Sequence, residues 1–365
     1  MESPLFIMGA PRSGTTLLAR MLDSHRDVAI LPETGVFSIT DFLGCPETIT
    51  NRWQYIVVMN LLWRDLAPIE PLAAEVVAEI AAEKASHTGS VRALLEEIGK
   101  RYVLRRGKKL WGEKTPSHVL RLQNISRLFP DAKYMRIFRD PRDIVSSRLA
   151  LNDGVAVTRD LIRFMPSLKY HLRSLLWDPF WTSHSDVNVQ YEHLVANPSD
   201  VLKPVCDFIG ISFQEQMLDF YKTDQAKRLA KDAKMHGNLI NPTNTSRVGR
   251  FRSVLSDDQI ALIEYFYQEE MKLMGYTFVT QRTLTAENRQ YVQQVEKNYA
   301  PISKGYVARY HRIKGRVLIL AYTLLGRYAA SLRQQEIAIT KQEWVQRSSL
   351  NEESLKNSGV AVQRN

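Results

Sequence analysis

The sequence predicts an α/β protein with a central, mainly parallel sheet, a helical insertion and a helical C-terminal extension. Three observations carry this prediction. Four short β-rich runs, Leu5–Gly9, Lys109–Trp111, Lys133–Arg139 and Val187–Tyr191, are separated by long stretches of helical periodicity, the pattern of strands joined by crossover helices. The first run passes through a glycine-bearing turn straight into a helical pattern. The chain has 365 residues and is 44% hydrophobic, enough for one large α/β domain with an appendage or for two domains.

Taken in order, the first strand leads into a helix predicted to begin near Ser13–Thr16. That helix should bury Leu17, Leu18, Met21 and Leu22, spaced i, i+1, i+4, i+5. Residues 51–106 are rich in Ala, Glu, Leu and Arg and carry no strand signal. They are predicted to be a wholly helical insertion over the sheet, where an acceptor pocket could form, its shape set by residues 36–106 together with the loop 226–253. The stretch "KMHGNLINPTNTSRVGRFRS" is polar and turn-rich, the composition of a long loop. "LSDDQIALIEYFYQEEMKLMGY" opens with the cap-like Ser256 and continues as an amphipathic helix. The division expected is a main domain over residues 1–280 and a basic, mainly helical extension over 281–365 with a frayed end.

The net charge of +10 points to an anionic ligand, an acidic polymer or a membrane surface. Nucleic acid is not expected as a partner, because zinc-finger spacings and RNA-binding signatures are missing. Cys45 and Cys206 make no disulfide framework and read as free buried thiols. The apolar start "PLFIMGA" has no basic leader and is too short for a signal peptide. No apolar run approaches the ~20 residues of a spanning helix. A cytoplasmic protein is expected. Residues 297–335, with eight Lys/Arg and no Asp or Glu around "VLILAYTLL", either pack one stripe on the domain or a partner subunit, or touch a membrane surface or acidic polymer.

Two constellations carry chemistry. "GAPRSGTT" keeps Gly9 and Gly14 of the phosphate loop G-x-x-x-x-G-K-[ST], but Thr15 stands where the lysine belongs and Thr16 follows. A strand, a glycine turn and a helix N-terminus gather backbone N–H groups around an anion. Arg12 would add a charged fork and Thr15 and Thr16 hydroxyl donors; a plain strand–helix turn is the alternative. In "YMRIFRDPRDIVSSR", Arg139 sits at the carboxyl end of a strand and Ser147 lies eight residues on, in the following helix. Ligands of open α/β sheets bind at such strand ends. The competing reading is a salt-bridged helix start, Arg139 and Arg142 with Asp140 and Asp143.

In this combination and order, "PRSGTT" and "FRDPRDIVSSR" resemble the two cofactor-binding motifs of sulfotransferases that use 3′-phosphoadenosine 5′-phosphosulfate (PAPS). The resemblance implies a P-loop-like three-layer fold. It also implies that Arg12, Ser13, Gly14, Thr15 and Thr16 contact the 5′-phosphosulfate, and Arg139 and Ser147 the 3′-phosphate. "PRSGTTLLARMLDSH" followed by "ETGVF" is similar to the tyrosylprotein and bacterial branches, whereas the cytosolic branch usually has lysine in place of Arg12. Further matches extend over roughly residues 4–279. "LWGEKTPSHVL", just after a strand, nominates Lys114 at the transferring group. "VQYEHLVANP" nominates Tyr191 near the cofactor, and "VGRFR" with "LSDDQ" and "LMGY" nominates Arg250 in a segment closing over it.

Sulfuryl transfer is an in-line displacement in which charge builds on the leaving oxygen, and the protein positions and stabilises. Lys114 and Arg12, with the loop N–H groups, would meet that charge. No γ-phosphate and no metal need be held, which accounts for the missing loop lysine. By resemblance Glu33 in "LPETGVF" is the general base, which burial could tune. His118 is the rival, displaced from the cytosolic pattern by Pro116-Ser117, and reads more simply as a surface histidine; His25 reads as a cap or surface residue. Gly35 stands where the tyrosylprotein branch has an arginine, which puts an acidic tyrosine peptide in doubt. The acceptor expected is a hydroxyl or amine of a carbohydrate, glycolipid or small metabolite. A P-loop kinase or other phosphotransferase, and a catalytically silent phosphonucleotide-binding scaffold at a membrane, are the competing functions.

Overall fold

The computed structural model describes residues 3–299 apart from 85–87, 151–156, 232–235 and 282; most of the predicted C-terminal extension lies outside the described residues. The main sheet has five strands, β1 (Leu5–Gly9), β2 (Val28–Leu31), β5 (Leu110–Lys114), β6 (Lys133–Phe138) and β7 (Asp186–Gln190). Their order is β2-β5-β1-β6-β7 and every pairing is parallel. The helices used below are α1 (Thr15–Asp23), α2 (Val36–Phe42), α3 (Arg52–Leu66), α4 (Pro71–Glu83), α5 (Val91–Arg105), α6 (Leu122–Leu128), α7 (Pro141–Leu149) and α8 (Val157–Trp177).

Burial on both faces explains the apolar strands. On β1, Leu5 and Ile7 pack with Leu18, Met21 and Leu22 of α1. Phe6 points the other way, into a ring cluster with Phe37, Trp111, Phe129 and Tyr134, as the period-2 alternation of a strand requires. A third cluster joins α7 and α8 to the helices Asp257–Phe266 and Gln268–Leu273. Ser256 caps the first of these in a reciprocal box with Gln259. Leu17 departs from expectation: it is only partly buried and faces the cleft described below.

One strand was not expected and another runs further than expected. Val28–Leu31 is a strand that the sequence hides, because four wholly buried residues show no alternation and follow closely on a helix. β5 runs on to Lys114 instead of stopping at Trp111. Its Gly112 pairs with Leu5, and a Cβ there would lie 2.9 Å from the Leu5 carbonyl oxygen, so the glycine allows close strand contact. The insertion is also not wholly helical: Gly89–Ser90 (β4) pairs antiparallel with Thr48–Ile49 (β3) between α4 and α5. Both cysteines are free and buried, and burial pushes each thiol up to about 11.

A buried ionic cluster fastens the end of α1 to the region after α5. Asp23 accepts from both Arg106 nitrogens, at 2.6 and 3.0 Å, and from the Ile30 N–H at 2.8 Å; Arg20 lies 3.4 Å away. Burial pushes the Asp23 carboxyl up, but Arg20 and Arg106 outweigh it and hold it below the usual carboxylate range. Asp23→Asn is therefore expected to cost about 3–5 kcal/mol, since two buried guanidinium groups lose their counter-charge. Urea unfolding checks this, and an unchanged midpoint would contradict it. Nearby His25 is buried, not a surface cap, with Nε2 3.0 Å from the Ser212 carbonyl oxygen and Nδ1 accepting from the Asp27 N–H.

Candidate active site

The strand order locates the site. From β1 the chain crosses towards β2, whereas from β6 it crosses the opposite way to β7. The crevice at the carboxyl ends of β1 and β6 is thus the topological switch point, where open α/β sheets bind ligands.

Two left-handed residues shape the loop after β1. Gly14 has φ 103° and Arg12 φ 72°. A side chain at Gly14 would also be excluded by Tyr191, whose ring lies 2.5 Å from the would-be Cβ. Gly14 opens α1 without a side-chain cap, and no acid stands in the first turn. The first-turn N–H groups are therefore available to an anion and favoured by the helix dipole. Thr15 and Thr16 line the cleft. Ser13 does not: its hydroxyl is buried beneath the loop against Gly9 and has no hydrogen-bond partner.

The second motif meets the first directly. Arg12 Nε donates to Ser147 Oγ at 3.3 Å. Arg139 donates to the Arg12 carbonyl at 3.0 Å and the Arg247 carbonyl at 2.9 Å, and its guanidinium lies 4.2 Å from the centre of the Tyr191 ring. The salt-bridged helix start is half present. Arg142 pairs with Asp140 at 2.6 Å and also with Glu264, but Asp143 accepts the Gly249 and Phe251 N–H groups at 2.7 and 2.9 Å. Asp143 thereby ties the late loop to α7. In that loop Arg247, not Arg250, stands among the cleft-lining residues; Arg250 precedes the turn Phe251–Val254.

Electrostatically this end is cationic. Burial lowers the pKa of Arg12, and Arg139, Arg247 and Arg148 lower it further; burial and then Arg250 and Arg139 act likewise on Arg247. Crowded guanidinium groups beside an uncapped helix N-terminus suit a ligand with more than one anionic group.

The other end is built from β2 and β5. Lys114, at the end of β5, is buried, and its Nζ donates to Glu33 Oε1 at 2.5 Å and Thr16 Oγ1 at 3.2 Å. Glu33, two residues beyond β2, lines the cleft with Pro116 and Ser117 and is 48% exposed along its side chain. The burial expected for this carboxylate is absent. His118 is neither a surface residue nor a cleft residue: it is 1% exposed, with Nδ1 2.8 Å from Glu113 Oε2. The cleft holds about 310 Å³. Asn238, Leu239, Asn241, Pro242 and Arg247 of the expected loop 226–253 line it, whereas none of its lining residues comes from the insertion 51–106.

Sequence reasoning missed Arg247, the Asp143 clamp and Glu113. The arginine in "SRVGR" was visible, but only the fold chooses between it and its neighbour three residues on. For Asp143 and Glu113 the sequence holds no signal, because the contacts of Asp143 with Gly249 and Phe251 and of Glu113 with Thr34 join residues 79 to 108 positions apart.

An anion cradle at the switch point of a parallel sheet, with a second cationic cluster touching it, defines a group-transfer protein of the phosphate-loop type. The chain belongs to the sulfotransferase family, whose model matches residues 4–215, and is an enzyme of that class. A putative protein-tyrosine sulfotransferase of Caenorhabditis briggsae is 24% identical over 269 residues, covering 72% of this chain and 85% of that one. The protein-tyrosine sulfotransferase of Drosophila melanogaster is 24% identical over 270 residues, covering 71% of this chain and 49% of its own length. Among solved structures, the sulfotransferase domain from the Synechococcus PCC 7002 olefin synthase shares the fold, with a TM-score of 0.50, 20% identity and coverage of 80% of this chain and 95% of that one.

Proposed function

We propose that the chain transfers the sulfuryl group of 3′-phosphoadenosine 5′-phosphosulfate to a hydroxyl acceptor. The observation that carries this reading is the contact between motifs 135 residues apart, Arg12 Nε to Ser147 Oγ at 3.3 Å. It joins two donor sets on one cleft. One is the α1 N-terminus with Thr15, Thr16 and Lys114, for a 5′-phosphosulfate. The other is Arg139, Ser147 and Arg247, for a 3′-phosphate. Leu17, Val195, Phe220 and Leu239 add apolar wall in the same cleft, suited to a purine.

The donor supplies, when bound, a sulfuryl group on an activated phosphosulfate. Arg12, Lys114 and the first-turn amides stabilise charge on the phosphate oxygen as its bond to sulfur breaks. Glu33 accepts the proton of the acceptor hydroxyl as the new oxygen–sulfur bond forms. The names of the relatives support a tyrosyl phenol as one acceptor. A carbohydrate or lipid hydroxyl offers the same nucleophile, and Gly35 leaves the wall beside Glu33 without the cation that an acidic peptide would use.

Calorimetry with adenosine 3′,5′-bisphosphate against ATP–magnesium tests the donor, and preference for ATP would overturn it. Labelled PAPS with phenols, tyrosyl peptides, glycans and lipids then identifies the acceptor. Arg139→Ala should weaken bisphosphate binding by about 10–100-fold, the equivalent of one or two charge-assisted hydrogen bonds. Unchanged affinity would remove Arg139 from the site.

A further inference from the structure

Glu113 is 0% exposed at the end of β5, between Leu31 of β2 and Phe6 of β1. Its Oε1 accepts from the Thr34 N–H at 3.2 Å, from Thr34 Oγ1 at 2.8 Å and from the Thr115 hydroxyl. Oε2 faces His118 Nδ1 at 2.8 Å. Thr115 Oγ1 in turn accepts the Gly35 N–H at 3.3 Å. Burial pushes Glu113 up, but His118, Thr115 and Thr34 outweigh it and hold its carboxyl below the usual range. Thr34 follows Glu33 and Thr115 follows Lys114, so one buried carboxylate grips both segments, and the buried Lys114 meets the cleft-lining Glu33 at 2.5 Å.

We propose that Glu113 is a positioning residue for the transfer, setting through Thr34 and Thr115 where Glu33 and Lys114 stand. The inference rests on the reading of Glu33 as base and Lys114 as charge stabiliser. Glu33 is half-exposed on a loop, and its carboxylate pairs with Lys114. Three hydrogen bonds converging on the buried Glu113 Oε1, from the Thr34 N–H and the Thr34 and Thr115 hydroxyls, are the kind of support that fixes such a backbone, and misplacement by about 1 Å can cost roughly a hundredfold in rate.

The experiment uses the full chain with PAPS and the best acceptor found, with active protein counted by bisphosphate calorimetry. Glu113→Gln should lower kcat about 10–100-fold while the KM for PAPS and the bisphosphate affinity stay within about threefold. Thr34→Val, which loses the hydroxyl at constant shape, should fall similarly, and Thr34→Ser should restore most of the rate. Folded Glu113→Gln and Thr34→Val proteins with parental kcat would overturn the proposal. If Glu113→Gln does not fold, the Thr34 pair decides, and equal kcat for Val and Ser overturns it. Glu33→Gln separates the two readings. Parental turnover in that variant refutes the base, whereas lowered turnover beside a parental Glu113→Gln refutes only the positioning role.

Discussion

Replacing Lys114 by methionine is expected to lower kcat by about 10²–10³-fold, the usual loss when one preorganised donor to a developing oxyanion is removed. Methionine preserves the buried stem and deletes the ammonium that now reaches Glu33 at 2.5 Å and Thr16 at 3.2 Å. Adenosine 3′,5′-bisphosphate presents the phosphate oxygen on which that charge develops, so its affinity should also fall, whereas the KM for PAPS should change far less than kcat. Steady-state kinetics beside calorimetry gives that comparison. A kcat within about threefold of the parent would place the stabilising charge elsewhere, with Arg12 the remaining cation of the loop. Glu33 is half-exposed, so losing its ion-pair partner should not unfold the protein.

Glu33→Gln is the second large effect, about 10²–10⁴-fold in kcat, the range of a general base. The amide keeps the size of the side chain and can still accept a hydrogen bond from Lys114, so the cleft keeps its shape and donor binding should persist. Full activity in the variant would mean that the base lies elsewhere. His118 is poorly placed to take over. It is buried against Glu113 and the Phe37 ring, 4.7 Å between centroids, while Pro116 and Ser117 occupy the cleft wall before it.

Expectation and structure agree best where a pattern is local. β1 falls on Leu5–Gly9 as expected, because an apolar run ending in a glycine turn is complete within a few residues. Ser256 and Gln259 form the cap that their spacing announces. Agreement fails where a neighbour in space decides. Gly112-Glu113-Lys114 was expected to lie beyond the strand and is strand because β1 and β2 flank it. His25 and His118 read as surface residues and are buried by segments distant in sequence.

The candidate site divides in the same way. "PRSGTT" and "FRDPRDIVSSR" were legible as candidate anion-binding stretches, since a loop, a helix N-terminus and a strand end are short-range objects. Their contact through Arg12, Ser147 and Arg139 was not, nor was Arg247 standing at the cleft where Arg250 had been expected.

By itself, then, the sequence determined the fold class, the sulfotransferase family and the two stretches that carry the family resemblance, because each is written in contiguous residues. Only the tertiary structure decided that Lys114 meets Glu33, that Glu113 lies beneath both, and that the late loop rather than the insertion walls the cleft. The physical reason is that pairing of parallel strands and burial of charge join residues tens to more than a hundred positions apart, and no periodicity along the chain records such partners.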